Sequence, residues 1–328
     1  MRATDDAVEA AAAVLGDRAR RQVPVGPLTS YRVGGPAALF FEASDESDLD
    51  LVAAAVRASG VDVLVVGRGS NLLVADRGFP GLALVLGGGF ADVAFEGNEV
   101  VAGAAVSLPV LARRTAVAGL TGMEWSVGVP GSVGGAVRMN AGGHGSDISR
   151  CLVSARVHDL WAGDADADSW VGENRGGENR PRLRFHGWVA ADRLGLGYRH
   201  SALGAEHVVT AARFALGPGD RAASEEAIAD IVRWRREHQP GGSNGGSVFA
   251  NPDGDSAGRL IDEAGLKGLR RGSAFVSPKH ANFVQVDDGG SADDVAALVA
   301  EVARLVAART GVTLRVENHL VGFSEEAR

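Results

Sequence analysis

One segment narrows the possible folds more than any other part of the chain: Val61-Asp62-Val63-Leu64-Val65-Val66-Gly67-Arg68-Gly69-Ser70-Asn71. Its apolar half predicts a buried strand, and its glycine-rich half predicts a loop that can direct backbone N–H groups at a phosphate. Because Leu72 follows, the loop lacks the Gly-x-Gly-x-x-Gly fingerprint, and no Gly-Lys-Ser/Thr comes after it as in a P-loop. The segment argues against a Rossmann or P-loop domain, and it leaves open an anion-binding loop of another kind or a plain turn.

A second glycine-rich region, at residues 128–136 and 139–145, contains little charge. Backbone without Cβ atoms can lie directly against a large flat ligand, although crowded turns have a similar composition. Two such regions in one half of the chain favour the ligand-binding interpretation.

The C-terminal part of the chain contains a hydroxyl flanked by glycines, in Gly245-Gly246-Ser247-Val248-Phe249-Ala250-Asn251-Pro252. Glycine allows a ligand to come close, and proline ends regular structure directly afterwards. The pattern predicts that Ser247 lies on a rigid loop, either as a site residue or as part of an ordinary tight turn.

The composition indicates a globular protein of about two domains, since 45% of the 328 residues are hydrophobic and 23% are charged. The net charge of −8 argues against a general binder of nucleic acid or of anionic membranes. Cys151 is the one cysteine, so we expect neither an intramolecular disulfide nor a thiolate metal cluster, and no metal site is predicted. The acidic start does not resemble a secretory signal, and no apolar run approaches the ~20 residues of a membrane span, so we expect a cytoplasmic protein.

Strand and helix signals recur in two blocks separated near residues 217–220, which predicts an α+β architecture. Serines in capping positions predict where helices begin: Ser44, Ser107, Ser224, Ser256 and Ser291. A further helix or loose arm is predicted over residues 5–22, an exposed loop over 161–184, and strands over residues 37–42, 61–66, 82–86, 99–106, 151–158, 208–216, 274–276, 282–286, 312–317 and 320–323.

Eight short motifs, in this order, resemble those of the UDP-N-acetylenolpyruvoylglucosamine reductase family of flavoproteins. They lie at residues 31–35 (YRVGG), 67–71 (GRGSN), 130–136 (PGSVGGA), 139–142 (MNAG), 198–201 (YRHS), 246–252 (GSVFANP), 265–268 (GLKG) and 279–283 (KHANF). Each motif is weakly specific by itself, but eight in family order between residues 27 and 323 are strongly specific. The short connections resemble the shorter form of the family, which lacks an extra tyrosine-bearing loop.

The resemblance implies a domain organisation. Residues 1–26 would be an N-terminal helical arm. Residues 27–217 would form an FAD-binding region of the vanillyl-alcohol oxidase or PCMH type, with two subdomains that divide near residue 86. Residues 218–328 would form a smaller C-terminal α+β domain that binds the substrate.

The resemblance also implies noncovalent FAD as cofactor. The cofactor-binding residues would be Gly67, Arg68, Gly69, Ser70, Asn71, Pro130, Gly131, Ser132, Gly134, Gly135, Asn140 and Ala141. His144 and Cys151 would then be structural residues rather than points of covalent flavin attachment.

The reaction implied by the resemblance uses NADPH to reduce the enolpyruvyl ether of UDP-N-acetylglucosamine to the lactyl ether, in peptidoglycan precursor synthesis. Arg199 and Glu317 would stabilise negative charge at the substrate carboxylate, and Ser247 would protonate C2. Glu317 can do this only in its protonated form, so its pKa is expected to be raised. Tyr198, Arg235, His238 and Asn251 would contact the UDP-sugar, and no oligomer is required.

Three positions depart from the family pattern and weaken its basic contacts. His238 stands where a lysine usually precedes Gln-Pro, Ala250 replaces a basic residue, and His319 replaces the arginine of a Glu-Val-Arg pattern. We expect weaker diphosphate binding for this reason. Two alternatives stay open: another FAD-dependent oxidoreductase of this fold acting on a small hydroxy substrate, or a non-catalytic paralogue that binds nucleotide-sugars.

Overall fold

The computed structural model describes residues 5–162 and 185–324, so most of the loop expected over 161–184 lies outside the described residues. The α-helices are α1 Asp5–Leu15, α2 Glu46–Ser59, α3 Leu108–Val117, α4 Val133–Met139, α5 Arg221–His238, α6 Ala257–Glu263 and α7 Ala292–Thr310. The strands are β1 Arg20–Pro24, β2 Pro36–Ala43, β3 Val63–Val66, β4 Leu72–Val74, β5 Phe79–Leu86, β6 Val93–Glu96, β7 Glu99–Gly103, β8 Leu120–Thr121, β9 Gly142–Gly143, β10 Ser146–Asp147, β11 Leu152–Asp159, β12 Gly187–Ala190, β13 His207–Ala215, β14 Gly217–Pro218, β15 Asn244–Ser247, β16 Arg270–Arg271, β17 Ala274–Val276, β18 Phe283–Val286 and β19 His319–Val321. In the described ranges, no helix is long and apolar enough to cross a membrane.

Two compact units divide the chain, and neither is a single continuous segment. The first comprises Met1–Arg20, Phe41–Gly67 and Leu84–Val232, and the second comprises Arg21–Phe40, Arg68–Ala83 and Arg233–Arg328.

The first unit is organised around an antiparallel five-stranded sheet of order β12-β11-β13-β7-β6. Strand β13 pairs on both of its sides, and α4 packs against it. Val100, Leu111 and Phe214 are fully buried in the shared core. Because α4 begins within the second glycine-rich region, this core determines where that region lies.

The second unit combines an antiparallel sheet of order β15-β18-β17-β16 with α6 and α7. Helix α7 is the best-predicted element, because Ser291 caps it through the Asp294 N–H and Gly311 ends it in the left-handed conformation at φ 75°. Its buried apolar residues follow the helical period: Val295, Leu298, Val299, Val302 and Val306. Each such side chain contributes roughly 1.5–3 kcal/mol on burial.

Three predicted helix boundaries were wrong. Helix α1 ends at Leu15, because the chain enters β1 at Arg20. Helix α2 is capped by Asp45 rather than by Ser44. Helix α5 begins at Arg221, before Ser224, because the Asp220 carboxylate accepts the Ala223 N–H at 2.8 Å and provides the cap. Asp45 and Asp220 stand ahead of the expected helices, where a carboxylate competes with serine for the same N–H groups.

Two strand predictions also need correction. The segment 312–317 was expected to be a strand, yet it makes only an isolated bridge, between Val316 and Phe249. The strand expected over 99–106 ends at Gly103. Ser247, which was placed on a loop, is the last residue of β15 and lies opposite Phe283 in β18. The serine is therefore held by a strand ladder.

A buried charge in the first unit connects the N-terminal helix segment to α2. The Asp48 carboxylate accepts hydrogen bonds from the Arg18 guanidinium at 2.6 Å and from the Ser44 N–H at 2.7 Å, and Asp48 is buried. The hydrogen bond from Arg18 is the main cause that lowers the pKa of the Asp48 carboxyl. A carboxyl whose pKa is lowered by folding stabilises the protein above its unfolded-state pKa, and this is lost as pH falls through the folded-state pKa.

We expect Asp48→Asn to lower the free energy of unfolding at pH 7 by about 1–3 kcal/mol, because Arg18 loses its buried partner. The difference from the unsubstituted protein should shrink as the pH falls below about 4, the unfolded-state pKa of an aspartate, because the stability due to a lowered pKa is lost from there down through the folded-state pKa. Urea denaturation across this pH range measures both effects.

Asp17→Asn, at an exposed carboxylate near Arg18, is the matched control and should change stability little. A cost of Asp48→Asn that stays constant down to pH 3 would contradict the assignment.

Candidate active site

Ser132 lies at the centre of the predicted cofactor-binding residues of the first unit. It is buried, precedes α4 and forms a bridge with Ser107. A Cβ placed on Gly67 would stand 2.5 Å from Ser132 Oγ, so only glycine fits at position 67 without movement of the serine. The structure thus brings the start of the first glycine-rich loop, at Gly67, next to the second glycine-rich region.

Part of the backbone after Ser132 is already used by the fold. The N–H groups of Val133 and Gly134 donate to the carbonyls of Val106 and Ala104, at 2.9 and 3.0 Å. A Cβ on Gly134 would lie 2.9 Å from the Ala104 Cβ, so this glycine serves the close packing of α4. Gly134 therefore supports the site by packing, and its N–H is committed to another residue.

Asn140 connects α4 to the segment that carries the predicted catalytic arginine. It is buried, ends α4 in a left-handed conformation at φ 40°, and donates its side-chain amide to the Gly197 carbonyl at 2.9 Å. Its Oδ1 accepts the Ser149 N–H at 3.0 Å. Asparagine tolerates the left-handed region better than most residues, which suits it to this position.

Arg199 lies in a strained turn. Gly197 and His200 exchange backbone hydrogen bonds of 3.0 and 3.1 Å, which makes a tight turn with Tyr198 and Arg199 between them. Arg199 has φ 54°, a region that usually requires glycine. Its Nη2 donates to the Gly142 carbonyl at 2.8 Å, and its guanidinium lies 5.2 Å from the centre of the Tyr198 ring. Strain of this kind is maintained mostly at functional positions, which supports a role for Arg199.

The other predicted cofactor residues of the first unit are arranged around these anchors. Pro130 and Gly135 are exposed, and Gly131 accepts the Leu108 N–H through its carbonyl at 3.0 Å. Ala141 donates to the Ala136 carbonyl at 2.8 Å. All of them belong to the connected backbone around α4.

Cys151 has the properties of a structural residue. Its side chain is buried, and burial raises the pKa of the thiol to about 12. The thiol is therefore protonated at neutral pH and is a poor nucleophile.

In the second unit, the remainder of the first glycine-rich loop lies beside the segment of Glu317. Gly69 has φ 60°, and a Cβ there would lie 2.2 Å from the Leu28 carbonyl oxygen. The Asn71 side-chain amide donates to the Glu317 carbonyl at 3.1 Å, and the Asn71 carbonyl accepts the His319 N–H at 2.8 Å. Arg68 is exposed and Ser70 half-buried in the same loop.

Glu317 is also bonded to the segment of Ser247. Its N–H donates to the Val248 carbonyl at 2.7 Å. The neighbouring residues Val316 and Phe249 form the isolated bridge between the same two segments. Ser247 is exposed, whereas Glu317 is half-buried. Two of the three predicted catalytic residues thus lie on directly paired backbone segments, and Arg199 belongs to the other unit.

The two glycines before Ser247 are required for different physical reasons. A Cβ on Gly245 would lie 2.4 Å from the ring of Tyr31, so Gly245 makes room for this side chain. Gly246 has φ 74°, and a Cβ there would have open space around it. The expected close approach of a ligand therefore concerns Gly246, and packing inside the chain requires Gly245.

The predicted substrate residues of the second unit already have local partners. Arg235 donates to Gln239 at 2.7 Å, and partial burial lowers its pKa. The His238 ring stacks on Trp234 at 4.7 Å and its Nδ1 lies 2.8 Å from the Trp234 carbonyl oxygen. Asn251 is exposed and accepts the Ala257 N–H through Oδ1 at 3.1 Å.

The sequence analysis missed two buried polar residues next to the segments of Ser247 and Glu317, namely Tyr31 and Asn318. Tyr31 stands in the first of the eight motifs and Asn318 lies between Glu317 and His319, but neither was assigned a role. Neither position carries a spacing signal, because their partners are far away in the chain.

Comparisons with known proteins agree on one family. Residues 37–165 match the family model of an FAD binding domain, and residues 238–321 match that of the C-terminal domain of UDP-N-acetylenolpyruvoylglucosamine reductase. The chain is 42% identical over 302 residues to the enzyme of this name from Acidiphilium cryptum, covering 92% of this chain and 90% of the relative. It is 40% identical over 319 residues to the one from Methylorubrum extorquens, covering 97% and 96%.

A solved structure agrees with these matches. The crystal structure of the Thermus caldophilus reductase shares 33% identity and a TM-score of 0.75, over 92% of this chain and 99% of the other. The matches confirm the expected α+β fold with an FAD-binding region and a C-terminal reductase domain, and they confirm FAD as cofactor.

The strain at Arg199 can be measured directly. We expect Arg199→Gly to be more stable than Arg199→Ala by about 1 kcal/mol, because only glycine adopts the left-handed region without a Cβ penalty. Thermal or urea unfolding of the two variants measures the difference.

Arg193, exposed in the short 3₁₀-helix before this turn, is the matched control. There the order should be reversed, with the glycine variant less stable than the alanine variant by roughly 0.5–1 kcal/mol. An Arg199→Gly variant that is less stable than Arg199→Ala would contradict the strained turn.

Proposed function

Because this chain belongs to the UDP-N-acetylenolpyruvoylglucosamine reductase family, we propose that it uses NADPH to reduce the enolpyruvyl ether of UDP-N-acetylglucosamine to UDP-N-acetylmuramate. One observation carries this proposal beyond the family match: Glu317 and Ser247, which would act on the same substrate group, lie on paired segments through the bond from Glu317 N–H to the Val248 carbonyl. The segments of Ser247 and Glu317, which are predicted from separate parts of the sequence, are therefore neighbours in the second unit.

The residues of the first unit fit a bound FAD. Gly67 and Gly135 are exposed, and a Cβ on Gly135 would meet Ser132 Oγ only at 3.6 Å, so a ligand has room beside this backbone. Ser132 contributes a neutral hydroxyl, and glycine-rich backbone can supply N–H donors to a diphosphate. We propose that the predicted residues other than Gly134 contact the cofactor, and that Gly134 and the Asn140 side chain maintain the shape of the loop.

When bound, FAD would pass hydride from NADPH to C3 of the enolpyruvyl group. Arg199 would bind the substrate carboxylate, because a planar guanidinium matches a carboxylate with two parallel hydrogen bonds. Its positive charge would stabilise the negative charge that develops at C2 and the carboxylate. The turn that holds Arg199 at φ 54° limits its freedom before the substrate arrives.

Ser247 would donate the proton that C2 requires. A serine hydroxyl is a weak acid, but a carbanionic C2 is basic enough to take its proton. Glu317, in its protonated form, would donate a hydrogen bond to the substrate carboxylate and so share the task of Arg199. A serine that donates a proton needs no histidine base beside it, unlike a serine nucleophile.

Substrate recognition is part of the same proposal. Tyr198, Arg235, His238 and Asn251 would contact the UDP-sugar, and the diphosphate would depend mainly on Arg235. The His238 ring stacks on Trp234 within α5, so it reaches less far toward a diphosphate than a flexible lysine would at this position. We also propose a substrate-binding domain from residue 218 onwards, a cytoplasmic location and activity without oligomerisation.

The role of Ser247 is tested by separating the two half-reactions. Ser247→Ala should leave reduction of the bound flavin by NADPH unchanged, and it should slow reoxidation by the enolpyruvyl substrate by about 10²-fold or more, because the proton donor is gone. Anaerobic stopped-flow absorbance at the flavin band measures both rates.

Ser256→Ala is the matched control, since Ser256 caps α6 in the same unit and should cost only stability. Loss of both half-reactions in Ser247→Ala would show a structural role for the serine. If the unsubstituted protein binds flavin but its reduced flavin is not reoxidised by the enolpyruvyl substrate, the result would favour a non-catalytic paralogue or another oxidoreductase.

A further inference from the structure

A buried polar cluster lies directly behind the segments of Ser247 and Glu317. The Tyr31 hydroxyl donates to Asn318 Oδ1 at 2.9 Å. Asn318 Nδ2 donates to Asn71 Oδ1 at 3.0 Å and to the Gly245 carbonyl at 3.1 Å. Tyr31 is fully buried and Asn318 is 6% exposed. The three polar contacts of one side-chain amide therefore join chain segments that are distant in sequence.

The segments joined by this amide are the ones that carry the candidate site. Gly245 stands two residues before Ser247, Asn318 follows Glu317, and Asn71 belongs to the first glycine-rich loop. The Asn71 amide in turn donates to the Glu317 carbonyl at 3.1 Å. A shift of Asn318 would move all three together.

From this geometry we propose that Asn318, held by Tyr31, is a positioning residue that sets the backbone of Glu317 and the Ser247 strand relative to the loop of Asn71. Its side chain is buried and bonded to protein groups, so it acts through those residues. The inference deepens the proposed function and rests on its assignment of Ser247 and Glu317.

The physical basis is the cost of an unmade hydrogen bond. A buried donor or acceptor without a partner costs about 1–3 kcal/mol, so the cluster strongly prefers the one arrangement in which its members are paired. Burial raises the pKa of the Tyr31 phenol, which keeps its hydroxyl protonated and donating at neutral pH. Gly245 allows this arrangement because it leaves room for the Tyr31 ring. Parallel pairing of β19 with β4 continues the same alignment, with His319 opposite Leu72.

The test uses three variants of the full-length, flavin-loaded protein. Asn318→Leu keeps the branched outline of the side chain without its polar atoms. Tyr31→Phe removes only the donor that holds Asn318. The double variant removes both partners, so it should recover part of the stability lost in the single ones, because no buried hydroxyl remains unpaired.

Two measurements distinguish positioning from mere stability. Hydrogen–deuterium exchange at single amides should become about 10-fold or more faster at Glu317 and His319 in Asn318→Leu and in the double variant, as expected for local opening. Reoxidation of reduced flavin by the enolpyruvyl substrate, measured per bound flavin, should slow about 10-fold or more. In steady-state turnover, kcat should be affected more than KM. Tyr31→Phe should show smaller changes of the same kind.

Thr115→Val is the matched control, because it removes a buried hydroxyl of the first unit that donates to the Ala112 carbonyl at 2.9 Å. It should lower stability without changing exchange at Glu317 or reoxidation. The proposal is overturned if the double variant regains normal exchange and reoxidation along with its stability, or if Thr115→Val slows both.

Failure of the proposed function would look different. In that case the unsubstituted protein would not be reoxidised by the substrate, while exchange at Glu317 and His319 would still report whether Asn318 holds them.

Discussion

The parallel pairing of β4 with β19 is the constraint on which the second unit depends most. It joins Leu72–Val74 to His319–Val321, segments that lie far apart in the sequence. Pairing strands so far apart in the chain has an entropic cost for closing the loop between them. The buried core formed by Leu73, Leu320 and α7 offsets this cost. Once the pairing is made, Asn71 and Glu317 become neighbours, and the Ser247 strand is attached through the backbone bond from Glu317 to Val248.

The glycines of this protein serve several different structural roles, which their number alone does not reveal. Gly67 and Gly134 allow other parts of the first unit to come close, and Gly245 does the same for a tyrosine ring in the second. Gly246 has a left-handed backbone and open space where a Cβ would stand, while Gly135 is exposed at the surface of α4. Only exposed or open positions of this kind leave room for a ligand, so a glycine-rich motif marks the neighbourhood of a site more reliably than it marks the contacts.

Neutral groups hold the segments of the three predicted catalytic residues, each within its own unit. Arg199 is held by a carbonyl and a strained turn, and Ser247 by a strand ladder, while a neutral tyrosine–asparagine cluster supports the segment of Glu317. In each unit the groups that make these contacts are therefore neutral: a carbonyl, a strand ladder and a tyrosine–asparagine pair. Formal anions and cations are paired elsewhere, as between Arg18 and Asp48.

The amino-acid sequence by itself determined the α+β class, the family, FAD as cofactor and the start and end of α7, because motifs in order and capping residues are local signals. The roles of Arg199, Ser247 and Glu317 stay predictions, although the structure supports a special position for each. Only the tertiary structure decided that Gly245 faces Tyr31, that Arg199 adopts φ 54°, and that Asn318 connects three distant segments. These features depend on contacts between residues far apart in the chain, and such contacts leave no periodic or local pattern in a single sequence.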